Sequence, residues 1–597
     1  MPAYSSKTAL KVLTLNCWGV FTPLACQYRS ERIPAIGDKV AEGEFDIVLL
    51  QEIWTQADYK ILCDKIQPAL PYTHYYNSGL FGSGLCVFSK FPIIETLEYR
   101  YSLNGYAHKV YHGDWFGGKS VGLCKVQIGD IIVNVYNTHL HAEYNELRDE
   151  YLAHRVAQAF EMSQFVKHTS ETCDIVIATG DFNLQPSSLG HKVIMSNGNF
   201  LDAWTSQKDE SEAESDGTTC ERPDNPFSSP SFVKTHPNGI RLDYILYRNN
   251  GGYDMECDRC YVTLQQVPGQ PYHYSDHDGV AAEFTIKRNV TSMGRQRDKA
   301  EVTRHLGSIL PIMDKGEGKI YFDQKVFLVS ALFCFFVLTM TGSMDSGWML
   351  FSLPLVFLRF LLVLGLGFFL WMGIIMINVE LNCLIAARKN VKTLLAAESA
   401  RKYADRHFTN KTRQEDNPES ADVELLIWTQ ADYKILCDKI LPALPYTHYY
   451  NSGVLGSGLC VFSKLPIIET LEYRYSLNGY AHMFWHGDWF GGKSVGLCKV
   501  QIRGINVNVY NTHLHGDYNE AQDKYLAHRV AQAFEMSQFV KHTSETCDIV
   551  IATGDFNLQP SSLGHKVIMS NGNFLDAWTT QVGGPHRWVG HTGGWTM

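Results

Sequence analysis

The stretch IIVNVYNTHLHAEYNELRDEYLAHRVAQAFEMSQFVKHTSETCDIVIATGDFN, Ile131 to Asn183, decides the fold. It opens with IIVNVYNTHL and closes with CDIVIATGDFN, two short runs rich in β-branched residues, and Tyr144 to Thr169 between them reads as a long helix. Strand, helix, strand is the unit of an α/β fold. Outward from it, LKVLTLNCW, FDIVLLQEIW, GSGLCVFSK, VGLCKVQI and RLDYILY read as further strands. Runs apolar on both faces belong in sheets covered on both sides, so residues 1–290 are expected to form a two-sheet sandwich flanked by helices.

The whole chain is longer than one core. At about 150 residues per domain, 597 residues suggest roughly four units. The balance of 52 Lys plus Arg against 62 Asp plus Glu gives a net charge of −10, so nucleic acid, whose affinity comes from phosphate neutralisation, is not an expected partner. A 45% hydrophobic content is too apolar for a disordered chain. Ser5, Ser6, Lys7 and Thr8 precede any apolar run, so no secretory signal is expected. Fifteen cysteines, an odd number without a dense framework, read as reduced thiols on a cytosolic face.

Apolar mass is concentrated near the middle. VFLVSALFCFFVLTMTGSM, Val326 to Met344, has nineteen residues without a charge and would be about 28 Å long as a helix. A second stretch is cleanest from Phe360 to Asn378. A two-helix transmembrane hairpin over 326–379 is expected, with spans near 326–344 and 357–378, preceded by a linker over 291–325. The alternative is a pair of buried core helices. Arg359 would cost about 2.5 to 3.5 kcal/mol inside the span, so it is expected near the interface. The turn carries Asp345 and no Lys or Arg, whereas Lys315, Lys319 and Lys325 precede the hairpin and Arg388, Lys389 and Lys392 follow it. Both flanks are therefore expected in the cytosol, and Asn289 and Asn410, each in an Asn-x-Thr triplet, are expected unmodified.

Ile53 to Thr205 recurs at Ile427 to Thr579 with a constant offset of 374, and 15 of the 153 positions differ. One long copy is not a solenoid; it is a partial duplication over 427–580 or a gene-assembly error. A polar juxtamembrane segment over 380–426 precedes it, and 581–597 reads as an unstructured tail. The repeat starts at Ile427, with Leu426 where Glu52 would fall, and the chain ends without a second RLDY or SDH. His513, Asp555 and Asn557 remain, but this copy is expected to be inactive, with exposed sheet edges.

In the first copy, strands end in groups an apolar core would not choose: Asn16 in NCWG, Glu52 in QEIW, Asn137, His139 and His141 in NTHLH, Asp181 and Asn183 in GDFN. Arg241-Leu242-Asp243-Tyr244 and Ser275-Asp276-His277 follow. Any one of these reads most simply as a polar residue facing water; together they read as a site. A Glu carboxylate with an Asn amide suits Mg²⁺, and a metal on a phosphate oxygen stabilises developing charge. Asp276-His277 sets a carboxylate beside an imidazole suited to general-base work. With no GxSxG elbow, the set points to phosphoester hydrolysis by activated water.

The ordered set NCWG, QE, THLH, GDFN, RLDY and SDH resembles the metal-dependent endonuclease/exonuclease/phosphatase superfamily. LNGYAH, HGDWFGGKSVGL and YLAHRVAQA, followed by a membrane hairpin, resemble its neutral sphingomyelinase branch, over residues 1 to about 400. The resemblance implies a four-layered α/β sandwich and Mg²⁺-dependent hydrolysis of sphingomyelin to ceramide and phosphocholine, with choline lysophospholipids as further candidates. It implies Glu52 as main Mg²⁺ ligand with Asn16 helping, Asn183 on the substrate phosphate and His277 as the base that activates water. Asp181 would position water or metal, His139 would stabilise the phosphoryl oxygens, and Asp276 and Asp243 would orient the histidines. It also suggests the endoplasmic reticulum or another internal membrane. A nuclease or inositol-phosphate phosphatase of the same superfamily, and a non-catalytic membrane scaffold, are the competing readings.

Four features stand apart. His141, two residues from His139, would share its strand face and allow a metal pair. Trp115 and Phe116 suit either a lipid headgroup loop or core packing. Gly113 to Ser120 satisfies GxxxxGK[ST], but no helix follows it, and Gly79 to Gly84 reads as a turn. Cys257, Cys260, His273 and His277 match a zinc-finger spacing, but Pro268, Gly269 and Pro271 interrupt the required helix.

Overall fold

The computed structural model describes residues 7–22, 25–209, 216–342, 349–407, 423–426, 430–518 and 523–580. Among the described residues the first copy holds twelve strands: β1 (Lys7–Asn16), β2 (Ile47–Gln51), β3 (Tyr72–Tyr75), β4 (Cys86–Ser89), β5 (Ile93–Arg100), β6 (Ser120–Ile128), β7 (Ile131–His139), β8 (Ile175–Asp181), β9 (Leu201–Asp202), β10 (Asp243–Asn249), β11 (Gly251–Thr263) and β12 (Gly279–Met293). Its helices are α1 (Arg29–Ala41), α2 (Gln56–Ile66), α3 (Leu152–Thr169), α4 (Leu189–Gly198) and the short α5 (Ala203–Ser206) and α6 (Pro230–Thr235). The strands form two six-stranded sheets, ordered β11-β12-β1-β2-β4-β3 and β5-β6-β7-β8-β10-β9. Only β1–β2 and β7–β8 pair in parallel within these two sheets.

The sheets meet through Leu10, Val12, Ile47, Leu49 and Val87 on one side and Val126, Val133, Val135, Ile175 and Ile177 on the other. The alternate residues of the same strands face helices. Leu13, Leu15, Val48 and Leu50 pack with Ile33, Ile36, Leu62 and Ile66 of α1 and α2, and Leu123, Tyr136, Val176 and Ala178 pack with Met162, Phe165 and Ile194 of α3 and α4. This is the four-layered sandwich that the doubly apolar strands called for. A buried polar bridge crosses between the sheets. Gln51 Nε2 donates to Asn137 Oδ1 at 2.7 Å, and Asn137 Nδ2 donates to the carbonyls of Leu50 and Cys86. Asn137 is thus a buried structural group.

The stretch expected as a linker over 291–325 is different. Strand β12 runs to Met293, and α7 (Lys299–Gly342) begins soon after. Val302, Leu306, Ile309 and Met313 give α7 an apolar stripe at helical spacing, buried with Val156, Ala157 and Phe160 of α3. The polar residues and glycines between them mask that stripe in the sequence. As a result α3 is covered on both faces.

Beyond Lys325 the same helix turns its apolar side chains outward: Leu332, Phe333, Phe335 and Phe336 are all exposed. A second helical run follows, made of α8 (Met349–Leu370), a π-turn over Trp371–Met376 and α9 (Ile377–His407). The two runs are long and apolar enough to cross a bilayer. Arg359 donates to the carbonyl of Thr341, close to the turn that joins them, and the turn itself lies outside the described residues, as do Asn410 and the tail over 581–597. Arg388 of α9 pairs with Asp314 and Glu317 of α7.

The second copy holds a three-stranded sheet, β13 (Val423–Leu426), β14 (Tyr446–Tyr449) and β15 (Leu459–Ser463), ordered β13-β15-β14. A four-stranded sheet, β16 (Ile467–Arg474), β17 (Ser494–Ile502), β18 (Ile505–His513) and β19 (Ile549–Asp555), follows in that order. Strand β13 comes from the segment expected as a juxtamembrane linker and fills the place of β2, pairing Leu425 with Cys460 as Leu50 pairs with Cys86. With no counterpart of β10 beside it among the described residues, β19 is an edge there, and its Ile549 and Ile551 are 45% and 46% exposed.

Candidate functional site

Each polar strand end reaches one end of the sandwich. Asn16 closes β1, His139 closes β7, Asp181 closes β8, Asp243 opens β10, and Glu52 and His277 lie one and two residues outside β2 and β12. Two glycines make this convergence sterically feasible. A Cβ on Gly19 would lie 2.2 Å from the Glu52 carbonyl oxygen, and one on Gly180, whose φ is +137°, would lie 1.9 Å from that of Thr138. Glu52 and Asn183 themselves adopt left-handed backbone, φ 59° and 47°, a strain that turns their side chains into the site.

Asn16 links two carboxylates, donating from Nδ2 to Glu52 Oε1 at 3.0 Å and to Asp181 Oδ2 at 2.9 Å. His139 Nε2 lies 3.4 Å from Asp181 Oδ2 and 3.8 Å from Glu52 Oε1. His277 Nε2 approaches Asp181 Oδ2 at 4.0 Å, while its Nδ1 is 2.8 Å from Asp243 Oδ2. Thr219 donates to the same Asp243 oxygen at 2.6 Å. Asn183 donates its amide to Asp181 Oδ2 and to the Leu140 carbonyl. Asp276 bonds to Ser275 Oγ, and it is Asp243, not the adjacent Asp276, that holds the His277 ring.

The electrostatics are those of crowded acid groups out of water. Burial, and then Asp276, raise the Glu52 pKa; burial raises that of Asp276. Burial, with a contribution from Asp243, pushes Asp181 up to about 7. Burial pulls His277 down, but Cys220, Asp243 and Asp181 outweigh it and hold the ring well above its ordinary value. The Cys220 thiol is itself pushed up to about 11 by burial and is neutral near pH 7, so the carboxylates carry that effect. Burial and the Lys119 charge hold His139 well below its ordinary value.

Such a set has a surplus of negative charge that a hard divalent cation would satisfy. Oδ1 of Asp243 is buried without a hydrogen-bond partner. Asp181, Asp243 and His277 each offer a ligand atom within 4.8 Å of the others. The oxygen-rich donors fit Mg²⁺ better than a thiolate-seeking ion.

Lys119 and Asp114 were missed as site residues. Lys119 is fully buried, with Nζ 2.8 Å from His139 Nε2, 2.9 Å from Asp114 Oδ1 and 3.1 Å from the Leu140 carbonyl. An ammonium only donates, so His139 accepts at Nε2. In the sequence this lysine is the K of the GxxxxGK[ST] string. The two glycine-rich strings in fact meet each other: Gly79 bridges Gly117, and the Leu80 and Phe81 amides donate to the Phe116 carbonyl. Phe116 packs on Phe81, and Phe81 on Phe21. Trp54, which donates to Glu52 Oε2 at 3.4 Å, lines the same mouth.

The remaining candidates separate. His141 lies past the end of β7, stacked on Tyr151 with Nδ1 against the Ala142 carbonyl, so it shares no cation position with His139. Cys257 and Cys260 flank a register shift in β11 that turns both into the core between the sheets, away from His277. In the second copy Asp555 is 47% exposed in side chain, where Asp181 is 2% exposed.

The endonuclease/exonuclease/phosphatase family model matches residues 13–277 and 412–597. The "Putative neutral sphingomyelinase" of Caenorhabditis elegans is 38% identical over 403 residues, 65% of this chain and 91% of that protein. "Sphingomyelin phosphodiesterase 2" of Homo sapiens is 39% identical over 280 residues, 47% of this chain and 65% of that protein. "Inositol phosphosphingolipids phospholipase C" of Schizosaccharomyces pombe is 36% identical over 296 residues, 47% of this chain and 69% of that protein. The first matched segment runs from within β1 to His277 and so contains the whole convergent set; by that site and that match, this chain belongs to the endonuclease/exonuclease/phosphatase family.

Proposed function

We propose that this chain hydrolyses sphingomyelin in the membrane that holds it, releasing phosphocholine and leaving ceramide, with Mg²⁺ as the metal. The observation that carries the reading is the placement of His277. Its Nδ1 is held by Asp243, and its Nε2 faces Asp181 in the pocket that also contains Glu52, Asn16 and His139. The sphingomyelinase and phosphosphingolipid names of the relatives supply the substrate class.

With Nδ1–H donated to Asp243, Nε2 of His277 is the proton acceptor in the neutral form of the ring, a form that the neighbouring carboxylates disfavour and that a cation offsetting their charge would restore. A water oriented by Asp181 loses a proton to it while the water oxygen bonds to phosphorus. The bond from phosphorus to the ceramide oxygen breaks, that oxygen takes a proton from solvent, and the His277 imidazolium returns its own proton to solvent. Glu52 and Asn16 would hold a divalent cation, which would supply positive charge beside the phosphate oxygens. His139, kept neutral and supported by Lys119, and Asn183 border the phosphate position, and Asp276 adds to the negative field around Glu52.

The domain over 1–290 and the C-terminal copy lie on the cytosolic side in this reading, supported by the basic flanks of the hairpin, and an internal membrane such as the endoplasmic reticulum is the proposed site. A bilayer tether favours a substrate already in that bilayer over nucleic acid. The test is phosphocholine release from sphingomyelin micelles by the full chain, with and without Mg²⁺, against His277→Ala. The expected result is Mg²⁺-dependent release that His277→Ala abolishes; undiminished turnover in that variant rejects the assigned base. Release of phosphoinositol from inositol phosphosphingolipids with no phosphocholine release would move the substrate to the other headgroup.

A further inference from the structure

The two copies touch, and the contact obeys a rule: adding 374 to either partner of a pair yields the partner of another pair. Lys167 pairs with Glu469, and Lys541 with Glu95. Lys125 pairs with Glu545 at 3.0 Å, and Lys499 with Glu171 at 3.3 Å. His168 lies 3.3 Å from Glu469, and His542 lies 3.6 Å from Glu95. Thr172 donates to Glu545, and Thr546 to Glu171. At the centre Tyr99 meets its own counterpart, Tyr473, with ring centroids 6.3 Å apart. Leu97 and Leu471 belong to one apolar cluster that runs through both copies.

That rule defines a pseudo-two-fold axis. An isologous contact uses the same patch on both partners, so the patch is complementary to itself. A contact between unlike surfaces has no reason to reproduce every ion pair under exchange of the copies. The fifteen substitutions that separate the copies fall on none of these positions, so two catalytic copies from different chains carry every group that this contact uses. No residue of the candidate site belongs to the face.

We propose that the β5–α3 face of the catalytic domain is a homodimerisation surface, and that in this chain the repeat over 427–580 occupies it as a tethered, inactive stand-in for a second catalytic domain. The tether gives the repeat an effective concentration on the order of millimolar, above that of free chains in a membrane preparation, so the intramolecular contact wins and the full chain is monomeric through this face.

The test uses the full chain in detergent, with mass measured by light scattering across a range of protein concentrations. One variant reverses the face on the repeat alone: Glu469→Lys, Lys499→Glu, Lys541→Glu and Glu545→Lys. Like charges then meet across the axis and expel the repeat, while the freed catalytic face stays complementary to its equal on another chain. The wild type is expected to keep the mass of one chain, and this variant to at least double it as concentration rises. A second variant adds Glu95→Lys, Lys125→Glu, Lys167→Glu and Glu171→Lys, which restores opposite charges within the chain and is expected to return the mass to one chain. Phosphocholine release at wild-type level in each protein reports a folded catalytic domain. A repeat-reversed chain that stays at one-chain mass, a wild type that is already dimeric, or an eightfold variant that does not return to one-chain mass each overturns the proposal.

Discussion

Nδ1 of His277 stands 2.8 Å from Oδ2 of Asp243, a residue 34 positions earlier in the chain, and Thr219 donates to the same carboxylate oxygen. The bond fixes the ring and its tautomer. Asp243→Asn keeps the shape and can keep the threonine contact, but an amide that donates to Nδ1 turns the basic lone pair away from the water side. The expected outcome is a fall in kcat of about 10²- to 10⁴-fold with KM and melting temperature close to wild type. Steady-state phosphocholine release and thermal denaturation of the same sample check it.

Lys119 carries two roles that a pair of variants can separate. Burial pushes Asp114 up, but Lys119 and then His141 hold its carboxyl far below the usual range. Lys119→Met leaves that carboxylate buried without its cation, at an expected cost of about 3 to 5 kcal/mol in unfolding free energy. Adding Asp114→Asn removes the stranded charge and is expected to recover most of the stability but none of the activity, because His139 still lacks its donor. Recovery of turnover in the double variant would mean that Lys119 serves only to neutralise Asp114.

What the sequence revealed and what it hid follow from distance along the chain. The sandwich was legible because β2 and β8 are apolar on both faces, which a single uncovered sheet forbids. The convergent ends were legible because Asn16, Glu52, His139 and Asp181 interrupt those apolar runs in polar groups. The partner of His277 was reached only through the family resemblance, which named Asp276 and Asp243 together; Asp276 is its neighbour in sequence and Asp243 its neighbour in space. Lys119 was hidden by a letter string whose usual meaning needs a following helix, where this chain continues as β6. The brace formed by the first half of α7 was hidden by glycines and charges between its buried residues, and the two-fold between the copies is a property of surfaces that no single copy displays.

The mouth of the site carries apolar side chains in the open. Leu80 is 68% exposed, Phe81 42% and Phe21 44%. If lipid enters between the paired glycine loops, these groups sit at its entry, and each one buried contributes about 1.5 to 3 kcal/mol. Phe81→Ser is therefore expected to slow hydrolysis of sphingomyelin in intact vesicles by about tenfold while changing the rate on detergent-dispersed substrate less than twofold. Equal losses on the two substrates would place Phe81 in the chemistry instead.

The repeat offers a control that copies the letters of the site without its environment. His513 lies 3.6 Å from Asp555, as His139 lies near Asp181, but the described residues of this copy hold no counterpart of β10 or β12 to bring an Asp243 or a His277. His513→Ala with Asp555→Ala is expected to leave phosphocholine release unchanged, and His139→Ala to reduce it by at least a hundredfold. Any appreciable loss in the first variant would give the repeat a share in the chemistry.

Acid should destabilise the fold through histidines that are buried neutral. Burial brings His141 and His448 down to about 3 and His191 down to about 4. Their unfolded pKa is near 6.5. Below that value the unfolded chain binds protons that the folded chain refuses, so stability is full above about pH 6.5 and is lost as pH falls toward the folded values, by up to about 1.4 kcal/mol per pH unit for each ring. Asp181, raised to about 7, works in the opposite sense, because the folded chain takes up its proton first. A difference between variants isolates the histidine part. His191 packs on the ring of Tyr244 and lies outside the site, so His191→Asn is expected to lower the melting temperature at pH 7.5 but to show a smaller further drop between pH 7.5 and pH 5.5 than the wild type. Parallel melting curves across that interval would show that His191 takes up its proton in the folded chain.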